Sequence, residues 1–206
     1  MARLITGLDA VRVRDNLERV RERIGPDVTV LAAVKCVPLD ELGVLAEAGV
    51  TLLGENRAQD LEAKATAFPD FDWQFIGQLQ SRKVKQIVPH VELIHSVASN
   101  SALRRLEGAT TPILLEVNIG REEAKAGIAP EDLPEYLERS PVPVAGLMTM
   151  PPFTDDPEQS RRHFARLREL AAEHDLHELS MGTSQDYAVA ASEGATIVRI
   201  GTILYA

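Results

Sequence analysis

Short runs of β-branched and apolar residues alternate with amphipathic stretches along the whole of this sequence, and that alternation restricts the fold more than any other feature. Strands are expected at residues 28–34, 51–54, 73–77, 92–96, 112–118, 144–148, 178–181 and 196–200. Helical patterns fall at 8–24, 39–48, 55–67, 81–88, 99–106, 130–137, 158–174 and 186–192. Parallel neighbours need a long crossover, and the crossover is usually a helix, so this order reads as a parallel sheet covered by helices. Eight units are enough to close a barrel, and 206 residues sit at the short end of that fold, which starts at roughly 200. A doubly wound open sheet is the rival topology. It usually carries a glycine-rich turn after its first strand, where this chain has Ala33-Val34-Lys35-Cys36. The expectation is one α/β domain over residues 1–206, a single (β/α)8 barrel. An extra N-terminal helix precedes it, with Leu8, Val11, Leu17, Val20 and Ile24 on its apolar face. Ser99, and Asp155 or Asp156, are the expected helix caps, and Pro130 stands in a first turn.

Composition removes several classes of function. The net charge is −9 and aromatic residues make up 4%. Such a surface has neither the basic footprint nor the stacking platform of a nucleic-acid binder, and no attraction for an anionic membrane. No stretch is long and apolar enough to span a bilayer. Cys36 is the lone cysteine, which fits a reducing compartment. The N-terminal residues, from Met1 to Ile5, lack the apolar run of a signal peptide. A cytoplasmic location is therefore expected. With no heptad seam in view, so is a monomer.

In a parallel barrel, chemistry collects at the carboxyl ends of the strands. Lys35 follows the first strand and Gly54-Glu55-Asn56-Arg57 the second. Met148-Thr149 closes the sixth, Ser180-Met181-Gly182-Thr183-Ser184 the seventh, and Arg199-Ile200-Gly201-Thr202 the eighth. The last two segments offer glycine, hydroxyls and free amides in the adjacent loops where this fold commonly holds phosphate, although each is also an ordinary turn composition. Lys35 follows an apolar run, Val30 to Val34. At a dry barrel mouth it would lose charge and gain nucleophilicity; in the plainer reading it snorkels to water. Cys36 is read as packing, pointing away from Lys35 by strand alternation. Glu55 and Glu116 could be acid or base but have no visible partner. The histidines form no metal pattern.

Taken in order, Ala33-Val34-Lys35, Gly54-Glu55-Asn56-Arg57-Ala58-Gln59, Phe75-Ile76-Gly77-Gln78-Leu79-Gln80-Ser81-Arg82-Lys83 and Ile94-His95-Ser96-Val97 begin a series of motifs. Val117-Asn118-Ile119, Lys125-Ala126-Gly127-Ile128, Gly146-Leu147-Met148, Leu179 through Ser184 and Val198 through Thr202 complete it. The series resembles the pyridoxal 5′-phosphate (PLP) homeostasis proteins, whose barrel is similar to the N-terminal domain of alanine racemase. The resemblance implies that PLP is the cofactor, bound as a Schiff base on Lys35, with Arg199 facing the pyridine nitrogen. It implies that Ser184, Gly201 and Thr202 hold the phosphate beside Ser180-Met181-Gly182, and that Asn56 and Met148 lie near the ring. Thr183 and Gln78 depart from the family's usual residues, and the chain stops at Ala206, where relatives often carry a short tail. The resemblance further implies a carrier that stores, buffers or delivers PLP inside the cell, with PLP-dependent apoenzymes as recipients, and no catalytic residues. The alternative is a fold-type III amino-acid racemase. Such racemases carry an additional β-rich domain that supplies a second acid/base tyrosine. Of Tyr136, Tyr187 and Tyr205, Tyr187 is the one expected near the site.

Overall fold

The computed structural model describes residues 4–122 and 126–206; Lys125 of the motif series lies outside them. Eight parallel strands form one closed barrel in sequence order: β1 Thr29–Ala33, β2 Leu52–Glu55, β3 Asp72–Phe75, β4 Leu93–Val97, β5 Ile113–Glu116, β6 Val144–Met148, β7 Glu178–Thr183 and β8 Ile197–Ile200. Every expected strand is present, and the closed sheet excludes the open doubly wound alternative. Closure rests on β1 pairing with β8, where Leu31 lies opposite Arg199 and Ala32 opposite Ile200.

The N-terminal helix α1, Ala10–Ile24, is not an addition to a complete set. Helices α2 (Leu42–Glu47), α3 (Ala58–Ala67), α4 (Val84–Ile87), α5 (Asn100–Arg105), α6 (Leu133–Arg139), α7 (Arg161–Glu173) and α8 (Tyr187–Ser192) each follow one strand, and β8 is followed only by turns. Helix α1 packs against both α8 and α2, so it fills the eighth outer place over the closing seam. Asp9 caps it through Arg12 N at 2.8 Å. Its inward face is Val13, Leu17, Val20 and Ile24. The expected Val11 is 60% exposed, because spacings of four, three and four from Val13 follow the helical period and Val11 falls outside it. Asn16 Nδ2 donates to the carbonyls of Leu204 and Ala206, tying the C-terminal residues to the same helix. Ser99 caps α5, and Asp156 caps the short 3-10 turn before α7.

Apolar residues fall into two layers. Most pack between sheet and helices; Leu31, Leu93, Leu114, Met148 and Ile197 form a separate cluster, which fills the barrel interior as inward alternation requires. Glu55 ends β2 instead of starting a helix. Its buried carboxylate accepts from Lys64 Nζ at 2.6 Å and from the amides of Asn56 and Arg57 at 2.6 and 3.2 Å. The missing partner for Glu55 is thus Lys64 on α3, and Lys64 Nζ also donates to Val34 O at 2.7 Å. One ammonium group holds the ends of β1 and β2 at the level where the lining of the upper cavity begins. Removing one member of a buried pair strands the other's charge, so Lys64→Met should cost about 3–5 kcal/mol in a urea unfolding titration; a loss near zero would show the pair to be dispensable.

Candidate functional site

The strand ends surround a cavity of about 530 Å³. Lys35 and Cys36 enter it from the turn after β1, Asn56 from the loop after β2 and Glu116 from β5. Met148 and Met150 line it from the end of β6, Thr183, Ser184 and Gln185 from β7, and Arg199, Gly201 and Thr202 from β8. Of the residues singled out from sequence, Lys35, Asn56, Met148, Ser184, Arg199, Gly201 and Thr202 meet here. Ser180, Met181 and Gly182 do not line the wall. Ser180 is buried in the barrel interior, while Met181 packs in the layer between sheet and helices. Gly182, at φ +91°, has no room for a side chain: a Cβ there would come 2.5 Å from Ala190 Cβ on α8. Its role is close helix packing. At Gly201 a Cβ would meet no protein atom nearer than 3.6 Å, so the open backbone there faces space a ligand can use.

Lys35 is exposed, in a turn beyond the end of β1, and not in a dry, sealed mouth. The strand has ended at Ala33, so alternation no longer governs these residues, and Cys36 lines the cavity beside Lys35 instead of pointing away. Ile5, unmarked in the sequence, joins the wall, and its amide donates to Cys36 O at 2.8 Å. Of the proline-rich loop after β6, Met150 reaches the cavity, while Pro151 to Thr154 and Pro157 border a neighbouring groove. No tyrosine lines the cavity among the described residues. Tyr187 packs against the core between sheet and helices, and Tyr205 is buried, its hydroxyl donating to Ala33 O at 3.3 Å. Burial, with Glu55 and Cys36 nearby, pushes that phenol's pKa up.

The cavity floor is polar, and most of its donors are engaged. Arg199, 6% exposed, donates through Nη1 to Ser180 O at 2.8 Å and to Ser180 Oγ, and through Nη2 to Thr149 O at 3.0 Å and Met150 Sδ at 2.9 Å. Guanidinium has five N–H groups, so Nε–H remains for a ligand. Burial pulls the Arg199 pKa down to about 10, against the opposing fields of Glu116 and Asp186. Glu116 is shifted up by burial, with Arg199 pulling the other way. Below them His95 bridges Ser180 Oγ (Nδ1, 2.8 Å) and Gln74 Oε1 (Nε2, 2.7 Å). Burial, then Arg199, lowers its pKa well below the ordinary imidazole value. Sequence alone assigns His95 no role; its signals are its place in the Ile94-His95-Ser96-Val97 motif and its inward register on β4, two residues after Leu93.

At the opposite end, Ser184 Oγ accepts from Gly201 N at 3.1 Å, and the amides of Ser184, Gln185 and Thr202 have no acceptor among the described residues. Free amides from two adjacent loops make an anion cradle. Asn56 Oδ1 is buried in the wall without a partner, which suits a ligand hydroxyl. A lysine amine, an anion cradle, a cationic floor and one waiting acceptor together fit a phosphorylated aromatic aldehyde.

The His95 shift has a sign that can be measured. Its folded pKa is depressed, so below an unfolded value of about 6.5 the unfolded chain takes up a proton that the native chain does not. Stability should therefore fall as pH drops from 7 toward 5, and His95→Asn should flatten that slope in thermal melts; an unchanged slope would contradict it.

The profile of the alanine racemase N-terminal domain matches residues 8–206. The pyridoxal phosphate homeostasis protein of Aquifex aeolicus is 40% identical, over 94% of each chain, and that of Pseudomonas aeruginosa 36%, also over 94% of each. The solved structure of PipY from Synechococcus elongatus with PLP bound superposes at a TM-score of 0.83 with 33% identity, covering 94% of this chain and all of that one. Alanine racemase of Clostridium difficile superposes at 0.77 with 13% identity, over 96% of this chain and 57% of its own; that likeness is one of fold.

Proposed function

This chain belongs to the alanine racemase N-terminal domain family and, within it, to the pyridoxal phosphate homeostasis proteins; from that premise we propose that it is a PLP carrier, holding the cofactor as a Schiff base on Lys35 for storage, buffering or delivery. The observation that carries this reading is the meeting of Lys35, Arg199 and the Ser184–Gly201–Thr202 cradle in one cavity. When bound, PLP supplies an aldehyde for the lysine amine and a phosphate dianion for the cradle. The protein's share is positional. Lys35 offers its amine, Asn56 Oδ1 accepts from a ring hydroxyl, and the cradle amides bind phosphate. Arg199 presents a fixed positive charge, which disfavours a second one on the ring and weakens the ring as an electron sink.

Several features favour a carrier over a racemase. Racemisation needs an acid/base group on each face of the reacting carbon. Lys35 would serve one; among the described residues no tyrosine stands in the wall, and the carboxyl that does, Glu116, sits in the field of Arg199. An exposed Lys35 suits exchange with PLP-dependent apoenzymes. A monomeric, cytoplasmic protein belongs to the same proposal.

The protein loaded with PLP should show the visible band of a lysine-bound aldehyde, and Lys35→Ala should abolish it. L-Alanine incubated with the loaded protein should keep its chirality over hours. Rapid racemisation dependent on Lys35 would replace the carrier with an enzyme.

A further inference from the structure

Beneath the cavity, four side chains from four strands form a continuous chain: Gln74 on β3, His95 on β4, Ser180 on β7 and Arg199 on β8. None but Arg199 lines the cavity wall among the described residues' neighbours to it. The proton direction along this chain is set from its Gln74 end. Gln74 presents Oε1, an acceptor, to His95 Nε2, so Nε2 carries the ring proton. On a neutral ring Nδ1 is then bare and accepts from the hydroxyl of Ser180. Arginine has no acceptor, so Arg199 Nη1 donates to Ser180 Oγ, which leaves that hydroxyl's own proton for His95 Nδ1. Burial of His95 beside that cation opposes the charged form. The charged groups whose fields meet here are Arg199 itself, with Glu116 and Asp186 acting on it.

We propose that Gln74, His95 and Ser180 are a positioning relay that locks His95 as the Nε2–H tautomer and fixes the rotation of the Arg199 guanidinium, leaving its Nε–H directed to the cofactor. The part that concerns PLP rests on the carrier reading; the tautomer does not. With Ser180 Oγ and O both occupied by Nη1, and Thr149 O by Nη2, the guanidinium cannot swing without breaking several bonds in a low-dielectric interior, where each is costly to lose. The relay thus makes Arg199 a rigid donor at the floor.

The test has two readouts. In the cofactor-free full chain, imidazole nitrogen NMR, with His95 assigned by the signals lost in His95→Asn, should show a protonated Nε2 and a bare Nδ1 at neutral pH. Ser180→Ala removes the donor to Nδ1 and should yield a tautomer mixture. In the second readout, PLP titrated into Ser180→Ala and His95→Leu should bind about tenfold more weakly, with a displaced visible band, as expected for losing a hydrogen bond that holds a charged group. His95→Asn keeps an acceptor toward Ser180 and should recover most of the affinity. If His95→Leu does not fold, Ser180→Ala, which deletes a single oxygen, decides alone. A protonated Nδ1 in the parent chain, or parent-like affinity and band in Ser180→Ala, overturns the relay. If the parent chain binds no PLP, the carrier reading fails, and the tautomer measurement still judges the relay.

Discussion

The pairing of β1 with β8 is the constraint on which the site depends. Residues from the two ends of the chain become hydrogen-bonded neighbours, with Leu31 opposite Arg199 and Ala32 opposite Ile200. Because all strands run the same way, that one pairing sets Lys35 beside Gly201 and Thr202 at the same rim. The loops after β2, β6 and β7 then arrive in circular order, and their polar residues face a common space. Helix α1 protects the seam from outside and carries the C-terminal carbonyls on Asn16.

Electrostatics decide how the interior is divided. Among the described residues two Lys or Arg side chains, Lys64 and Arg199, are buried, and each is met by acceptors. Lys64 is held by Glu55 and Val34 O, which serves structure; Arg199 is held by Ser180, Thr149 and Met150, which leaves one donor for a ligand. The same logic separates the two glycines that look alike in sequence. Gly182 is small because α8 presses on it, and Gly201 faces open space at the rim.

Much of this was legible in the sequence, for identifiable reasons. Strand positions came from β-branched runs bounded by turn residues, and eight of them in a βα order left few topologies. The residues at strand ends include Lys35, Asn56, Met148, Thr183, Ser184, Arg199, Gly201 and Thr202 of the cavity lining. What failed had local causes. Met181 and Gly182 share a motif with Ser184, but Met181 packs in the layer between sheet and helices, α8 presses on Gly182, and the register of β7 shifts between Ser180 and Thr183, so composition alone does not divide this segment between helix layer and cavity rim. Cys36 was misjudged because β1 ends sooner than expected, so the period of two stops before it. Glu55 and Lys64 meet only after a strand becomes a loop and then a helix, and no spacing rule spans that change. His95 belongs to one of the family motifs, but its partners on β3 and β7 could not be read from the sequence.

The central claim is that PLP is held by Lys35 in this cavity and by no other lysine. Borohydride reduction of the PLP-loaded protein makes such a linkage permanent, and peptide mass spectrometry locates it. The account predicts one stoichiometric phosphopyridoxyl group on Lys35, with Lys64, Lys83, Lys85 and Lys125 unmodified. Modification spread over Lys83 and Lys85, or none at Lys35, would contradict it.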